Sequence, residues 1–276
     1  MNNEGNTNSL PKPKKQKFVP AHIRRKQNEA NKYVYLVPQG KKWRDEWFHI
    51  NFEANERKST HKELIVLDLN GTLVWRGPRN QDKSRNGYPR PYLGEFLRFA
   101  LDNFAVMIWS SAQPASVADM MNKMMSPYCK EFVRVWDRRF CDLDGEYFSK
   151  ARTVKDLDRI VSGFSLGDSP HCNAYGTFNT YTGICSDAKD KWTLNNTIIV
   201  DDSESKTALQ KDNHIFVSSF ENPLATKKDG SPADDELLRF KHYLEAYVSQ
   251  KEQYPSLLDY LAANPWLAFR DSGDQS

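Results

Sequence analysis

The run Leu64-Ile65-Val66-Leu67-Asp68-Leu69-Asn70-Gly71-Thr72-Leu73-Val74 constrains this chain more than any other stretch. Four consecutive apolar residues lead into an aspartate, and a glycine follows three places later. An apolar run this short, bounded by turn residues, reads as a strand buried on both faces of a parallel sheet. In open α/β sheets the ligand site lies beyond the carboxyl ends of the strands, and Asp68 stands at such an end. A second reading of Asp68 alone is a carboxylate that caps a turn.

Three further runs repeat the pattern: Phe104–Trp109 ends in Ser110-Ser111, Phe132–Trp136 leads into Asp137-Arg138-Arg139, and Asn196–Val200 ends in Asp201-Asp202. His214–Val217 reads as another strand. Helical spacing over 93–100, 113–125, 236–250 and 256–263 lies between or after them. Met120, Met121, Met124 and Met125 read as core filler. Thr153 reads as the cap of a helix starting at 153–157. Strands alternating with helices predict a three-layer, Rossmann-like α/β domain with a parallel sheet. The stretch 75–90 is turn-rich and basic.

Composition sets outer limits. A chain of 276 residues with 39% hydrophobic and 27% charged residues has the make-up of a water-soluble globular protein. No apolar run reaches the ~18 residues of a membrane span. The N-terminal residues lack the apolar core of a secretory signal, so an intracellular location, nuclear or cytoplasmic, is expected. Residues 1–32 carry eight Lys/Arg against Glu4 and Glu29 and read as a disordered basic tail. Its basic runs suit a nuclear address or an RNA backbone contact, with a plain solvated tail as the other reading. The aromatic-rich stretch 43–52 reads as a segment packed on the domain. The domain is expected to span 33–270, with an inserted loop at 162–194 and a short tail at 271–276. Cys129, Cys141, Cys172 and Cys185 contain no C-x-x-C pair and read as free thiols; a zinc site at His171, Cys172 and Cys185 is the minor alternative.

Asp68-Leu69-Asn70-Gly71-Thr72 resembles the first motif, D-x-D-x-T, of the haloacid dehalogenase superfamily of phosphotransferases. Ser110, Lys155 and Asp201-Asp202 then stand in that superfamily's motif order. V-L-D-L-N-G-T-L, R-P-Y-L-G-E-F-L, V-M-I-W-S-S-A, T-V-K-D-L and I-I-V-D-D-S are similar to the branch of the RNA polymerase II C-terminal-domain phosphatases, over roughly residues 60–260. The resemblance implies Asp68 as nucleophile, Ser110 (with Ser111 in reserve) as phosphate binder, and Lys155 as neutralising cation. It implies a small hairpin or cap insertion in 75–90 after the first motif, Mg²⁺ held by Asp68, Asn70, Asp201 and Asp202, and substrate contacts from Thr72, Ser111 and Arg138 or Arg139. Its implied function is Mg²⁺-dependent hydrolysis of phosphoserine or phosphothreonine in a protein, through an aspartyl-phosphate. Asn70 departs from the pattern: it stands where the family has its general acid, and an amide exchanges no proton near neutral pH. A slow phosphatase follows, with Asp202 or a loop histidine as substitute acid. A catalytically inactive phosphoprotein-binding module and a phosphatase of RNA ends are the alternatives.

Overall fold

The computed structural model describes residues 61–77, 87–129, 131–145, 151–161 and 192–272. The basic tail, the aromatic stretch at 43–52, most of the 162–194 loop and its candidate zinc residues lie outside them.

Strands β1 (Leu64–Leu67), β4 (Ala105–Trp109), β5 (Arg134–Trp136), β8 (Thr197–Asp201) and β9 (His214–Phe216) form one five-stranded sheet in the order β5-β4-β1-β8-β9. Every neighbouring pair is parallel. β1 is central, with Val66 in register with Met107 on one side and Ile199 on the other. The uninterrupted apolar runs are thereby explained, because alternate residues meet different layers. Ile65, Leu67, Val106, Ile108, Ile198 and Val200 face one core cluster; Leu64, Val66, Met107, Trp109 and Ile199 face the other.

The first cluster is closed by α1 (Leu93–Asn103), α2 (Pro114–Met124) and α4 (Glu236–Gln250), followed by α5 (Leu257–Ala263) and α6 (Trp266–Ser272). α1 contributes Leu93, Phe96, Leu97 and Ala100, the expected face. Met120, Met121 and Met125 are core residues, and Met124 packs against them. α6 continues to Ser272, into the stretch read from sequence as a tail. On the opposite side, Trp136 stacks on Phe140 at 4.6 Å and meets Trp109 edge-on at 4.9 Å. Among the described residues, no helix is long and apolar enough to cross a membrane.

The hairpin expected in 75–90 is present: β2 (Val74–Trp75) pairs antiparallel with β3 (Tyr88–Pro89). One local expectation is corrected. Thr153 starts no helix; it lies in β7 (Arg152–Val154), antiparallel to β6 (Asp142–Asp144). The β-branched pair Thr153-Val154 suits a strand, and the next helix is α3 (Asp158–Val161). Asp156 takes the capping part, its carboxylate accepting the Asp158 N–H at 3.1 Å.

Candidate active site

The carboxyl ends of β1 and β8 lie side by side, so their terminal acids converge. The Asp68 N–H donates to the Val200 carbonyl at 3.0 Å, tying the two strand ends. The chain then turns sharply: the Leu73 and Val74 N–H groups both donate to Leu69 O. Gly71 makes this turn possible with φ 92°. Thr72, buried, accepts the Asp202 N–H on its Oγ1 at 3.2 Å. It therefore positions the acid just beyond β8 and does not line the pocket.

Among the described residues, Asp68, Asp201 and Asp202 bring carboxylate oxygens within 4.8 Å of one another. Two lysines hold them. Lys155, fully buried, donates to Asp68 Oδ1 at 2.8 Å and to Asp201 Oδ2 at 2.5 Å. Lys206 donates to Asp68 Oδ2 at 3.2 Å, Asp201 Oδ1 at 3.2 Å and Asp202 Oδ1 at 3.4 Å. The lysine segments are also joined, the Lys155 N–H donating to Lys206 O at 2.7 Å. Burial pushes the Asp68 carboxyl up, but the charges of Lys155 and Lys206 outweigh it and hold Asp68 below the usual carboxylate range. Asp201 moves the other way: burial, together with the Asp68 charge, exceeds the pull of Lys155 and Lys206. Burial lowers both lysines, yet the surrounding carboxylates more than reverse this, so both ammonium groups stay charged.

A pocket of about 360 Å³ opens over Asp68, lined by Asn70, Arg76, Gly77, Ser110, Ser111, Ala112, Met120 and Lys206. Ser110 is buried and its Oγ accepts the Ala112 N–H at 3.2 Å, while Ser111 is half-buried at the rim. Asn70 is exposed there, and its Oδ1 accepts the Arg76 N–H at 2.8 Å. The hairpin backbone thus fixes the amide, leaving its NH₂ as the face that donates. Arg138 and Arg139 are buried and do not line the pocket; Arg139 forks onto Asp137, with Nη2–Oδ2 at 2.6 Å.

Of the residues chosen from sequence, the structure brings together Asp68, Asn70, Ser110, Ser111, Lys155, Asp201 and Asp202. It holds Thr72 behind them and Arg138 and Arg139 to one side. Sequence reasoning missed Lys206 and Arg76. Lys206 had one signal, a lysine four residues after Asp202 in the turn beyond β8, a spacing at which a long side chain can fold back on the acid. The donor set suits a hard cation: three carboxylates offer oxygen only, the ligand class that Mg²⁺ takes.

The family model for NLI interacting factor-like phosphatases matches residues 63–254. An FCP1 homology domain-containing protein of Schizosaccharomyces pombe is 34% identical over 196 residues, covering 67% of this chain and 71% of the relative. A putative CTD phosphatase-like protein of Invertebrate iridescent virus 3 is 26% identical over 216 residues, 69% of this chain and 99% of the viral one. Two solved structures are also similar. The fission yeast RNA polymerase II CTD phosphatase Fcp1 bound to beryllium fluoride has TM-score 0.36 and 16% identity, over 74% of this chain and 56% of that one. A further Fcp1 structure, described as that of an essential RNA polymerase II CTD phosphatase, has TM-score 0.35 and 14% identity, over 82% of this chain and 55% of that one. The chain thus spans little more than half of either Fcp1 chain. The five-stranded parallel sheet, the acids at the ends of β1 and β8, and a family match across most of the domain agree: the chain belongs to the NLI interacting factor-like phosphatases, with the α/β fold of the haloacid dehalogenase superfamily.

Proposed function

We propose that this protein hydrolyses phosphoserine or phosphothreonine in a partner protein, with Asp68 as nucleophile and Mg²⁺ held by Asp68, Asp201, Asp202 and the Asn70 backbone carbonyl. The observation that carries the reading is the buried Asp68 carboxylate, kept ionised between two ammonium groups at the floor of an open pocket. An ionised carboxylate is the form that attacks phosphorus, and the acyl phosphate so formed divides one hard step into two. When bound, Mg²⁺ offsets the repulsion between a phosphate dianion and Asp68. Lys155 keeps Asp68 charged and aimed by its 2.8 Å contact. Ser110 and the Asn70 amide stand on the pocket wall as donors to the transferring oxygens. Arg76, on the same wall, gives a phosphopeptide a cationic edge.

Asn70 favours a second reading, a phosphoprotein-binding module with slow or no turnover. Its Oδ1 is engaged by the Arg76 N–H, so the side chain can donate but cannot shuttle a proton. General acid–base help is worth typically ~10²–10⁴-fold in rate. Wild type, Asn70→Asp and Asp68→Asn are to be assayed with Mg²⁺ on an aryl phosphate and on phosphopeptides across pH 5–8. The phosphatase reading expects slow turnover in wild type, a rise of about tenfold or more in Asn70→Asp, and none in Asp68→Asn. Inert wild type and Asn70→Asp, with phosphopeptide binding that survives Asp68→Asn, would replace it with the binding reading.

A further inference from the structure

Lys155 contacts Asp68 at 2.8 Å and Asp201 at 2.5 Å, but the reach of Lys206 is wider. Its Nζ lies against one oxygen from each of Asp68, Asp201 and Asp202, at 3.2, 3.2 and 3.4 Å. These are the three acids that form the oxygen cluster. A divalent ion bound by the same carboxylates must sit among the oxygens that this ammonium faces, and two cations cannot share that space without strong repulsion. The two lysines differ in freedom. The Lys155 side chain is fully enclosed, whereas that of Lys206 is 20% exposed and forms part of the pocket wall. Lys206 also stands in a short turn, its N–H donating to Ser203 O at 3.1 Å, from which a four-carbon stem can swing outward.

We propose that Lys206 is a built-in competitor for the metal position: its ammonium neutralises Asp68, Asp201 and Asp202 in the metal-free protein, and Mg²⁺ binds only by displacing it. The tether gives the lysine a high local concentration at the acids, so the Mg²⁺ affinity of the wild type is set by an exchange of cations. This deepens the Mg²⁺ reading above and rests on it.

Calorimetric titration of the chelator-treated full chain with MgCl₂ tests the exchange in wild type, Lys206→Met, Lys206→Gln and Asp202→Asn. Lys206→Met and Lys206→Gln are expected to bind Mg²⁺ at least about tenfold more tightly than wild type, and Asp202→Asn at least about tenfold more weakly. Thermal melting supplies a readout independent of heat. In chelator the Lys206 variants should melt below wild type, because three carboxylates lose a cation, and saturating Mg²⁺ should remove most of the gap. Binding by the variants where wild type shows none also supports the exchange. Equal affinities in wild type and both Lys206 variants, with Asp202→Asn weakened, would overturn it and leave the Mg²⁺ reading standing. No heat in any of the four proteins would overturn both. Two replacements are used so that one poorly folded variant does not decide the outcome.

Discussion

Gly71 makes the turn after β1 possible and leaves room for the acid beyond β8. A Cβ at this position would lie 2.1 Å from Asp202 Oδ2 and 2.7 Å from its Cγ. No side-chain rotation of an alanine relieves such an overlap, so Asp202 must move. Gly71→Ala also places an L-residue at φ 92°, a conformation costing about 1–2 kcal/mol. The variant is expected to melt about 2–8 °C below wild type and to bind Mg²⁺ at least about tenfold more weakly. Melting curves and a Mg²⁺ titration check both effects, and a variant equal to wild type in both would refute the argument. At this scale the sequence was most informative about Asp68 and Asp201, because a long apolar run ending in an acid places that acid at a strand end. It was least informative about Thr72 and Lys206. A threonine after a glycine reads alike whether its hydroxyl meets substrate or an Asp202 backbone N–H, and a lysine four residues past Asp202 gives no sign that it also reaches Asp68 and Asp201.

Arg90 joins elements that sequence separates widely. It lies between β3 and α1, its side chain is fully enclosed, and its fork meets Asp234, at 2.8 Å from Nε and 2.9 Å from Nη2. Nη1 donates to Thr72 O at 3.1 Å, and Nη2 also reaches Ser218 Oγ at 3.3 Å. The hairpin, the turn after β1, the loop after β9 and the entry to α4 therefore meet on one guanidinium. Arg90→Met removes every one of these hydrogen bonds and leaves Asp234, 21% exposed, beside an apolar side chain. Breaking a buried pair on one side costs about 3–5 kcal/mol, and the partial exposure of Asp234 places this case near about 3. Urea denaturation should show that loss, with Arg90→Lys in between because it keeps charge without the fork. A loss under about 1 kcal/mol would show that the pair does not hold these segments. Elements were legible in proportion to their hydrophobic pattern. β1, β4 and β8 are continuous apolar runs, and α1 and α4 have clear helical faces. The β6–β7 pairing was hidden because Asp142-Leu143-Asp144 reads as a polar loop until its partner is known. The buried Asp142–Arg159 pair that joins this hairpin to α3 was equally out of view.

Both faces of the sheet are sealed, with consequences for the thiols throughout the described fold. Burial pushes Cys129 up to about 11 and Cys141 up to about 12. At pH 8 the thiolate, the reactive form, is then roughly one part in 10³ for Cys129 and in 10⁴ for Cys141. Iodoacetamide at pH 8 followed by peptide mapping should leave both unmodified in the folded protein and label both in denaturant. Raising the pH toward 11 should speed reaction at Cys129 first, since its shift is the smaller. Rapid labelling of either at pH 8 would contradict the packing of its layer. The charge balance of the site bears on how the molecule comes into being. Lys155 and Lys206 between them contact Asp68, Asp201 and Asp202, two cationic side chains against three acidic ones. Small metal-nucleated domains stay unfolded until their ion arrives, because nothing else gathers their ligands. Here the chain supplies its own counter-ions, so folding need not wait for an ion. Under the Mg²⁺ binding proposed above, loading is then a later, reversible event on a protein already in its final shape.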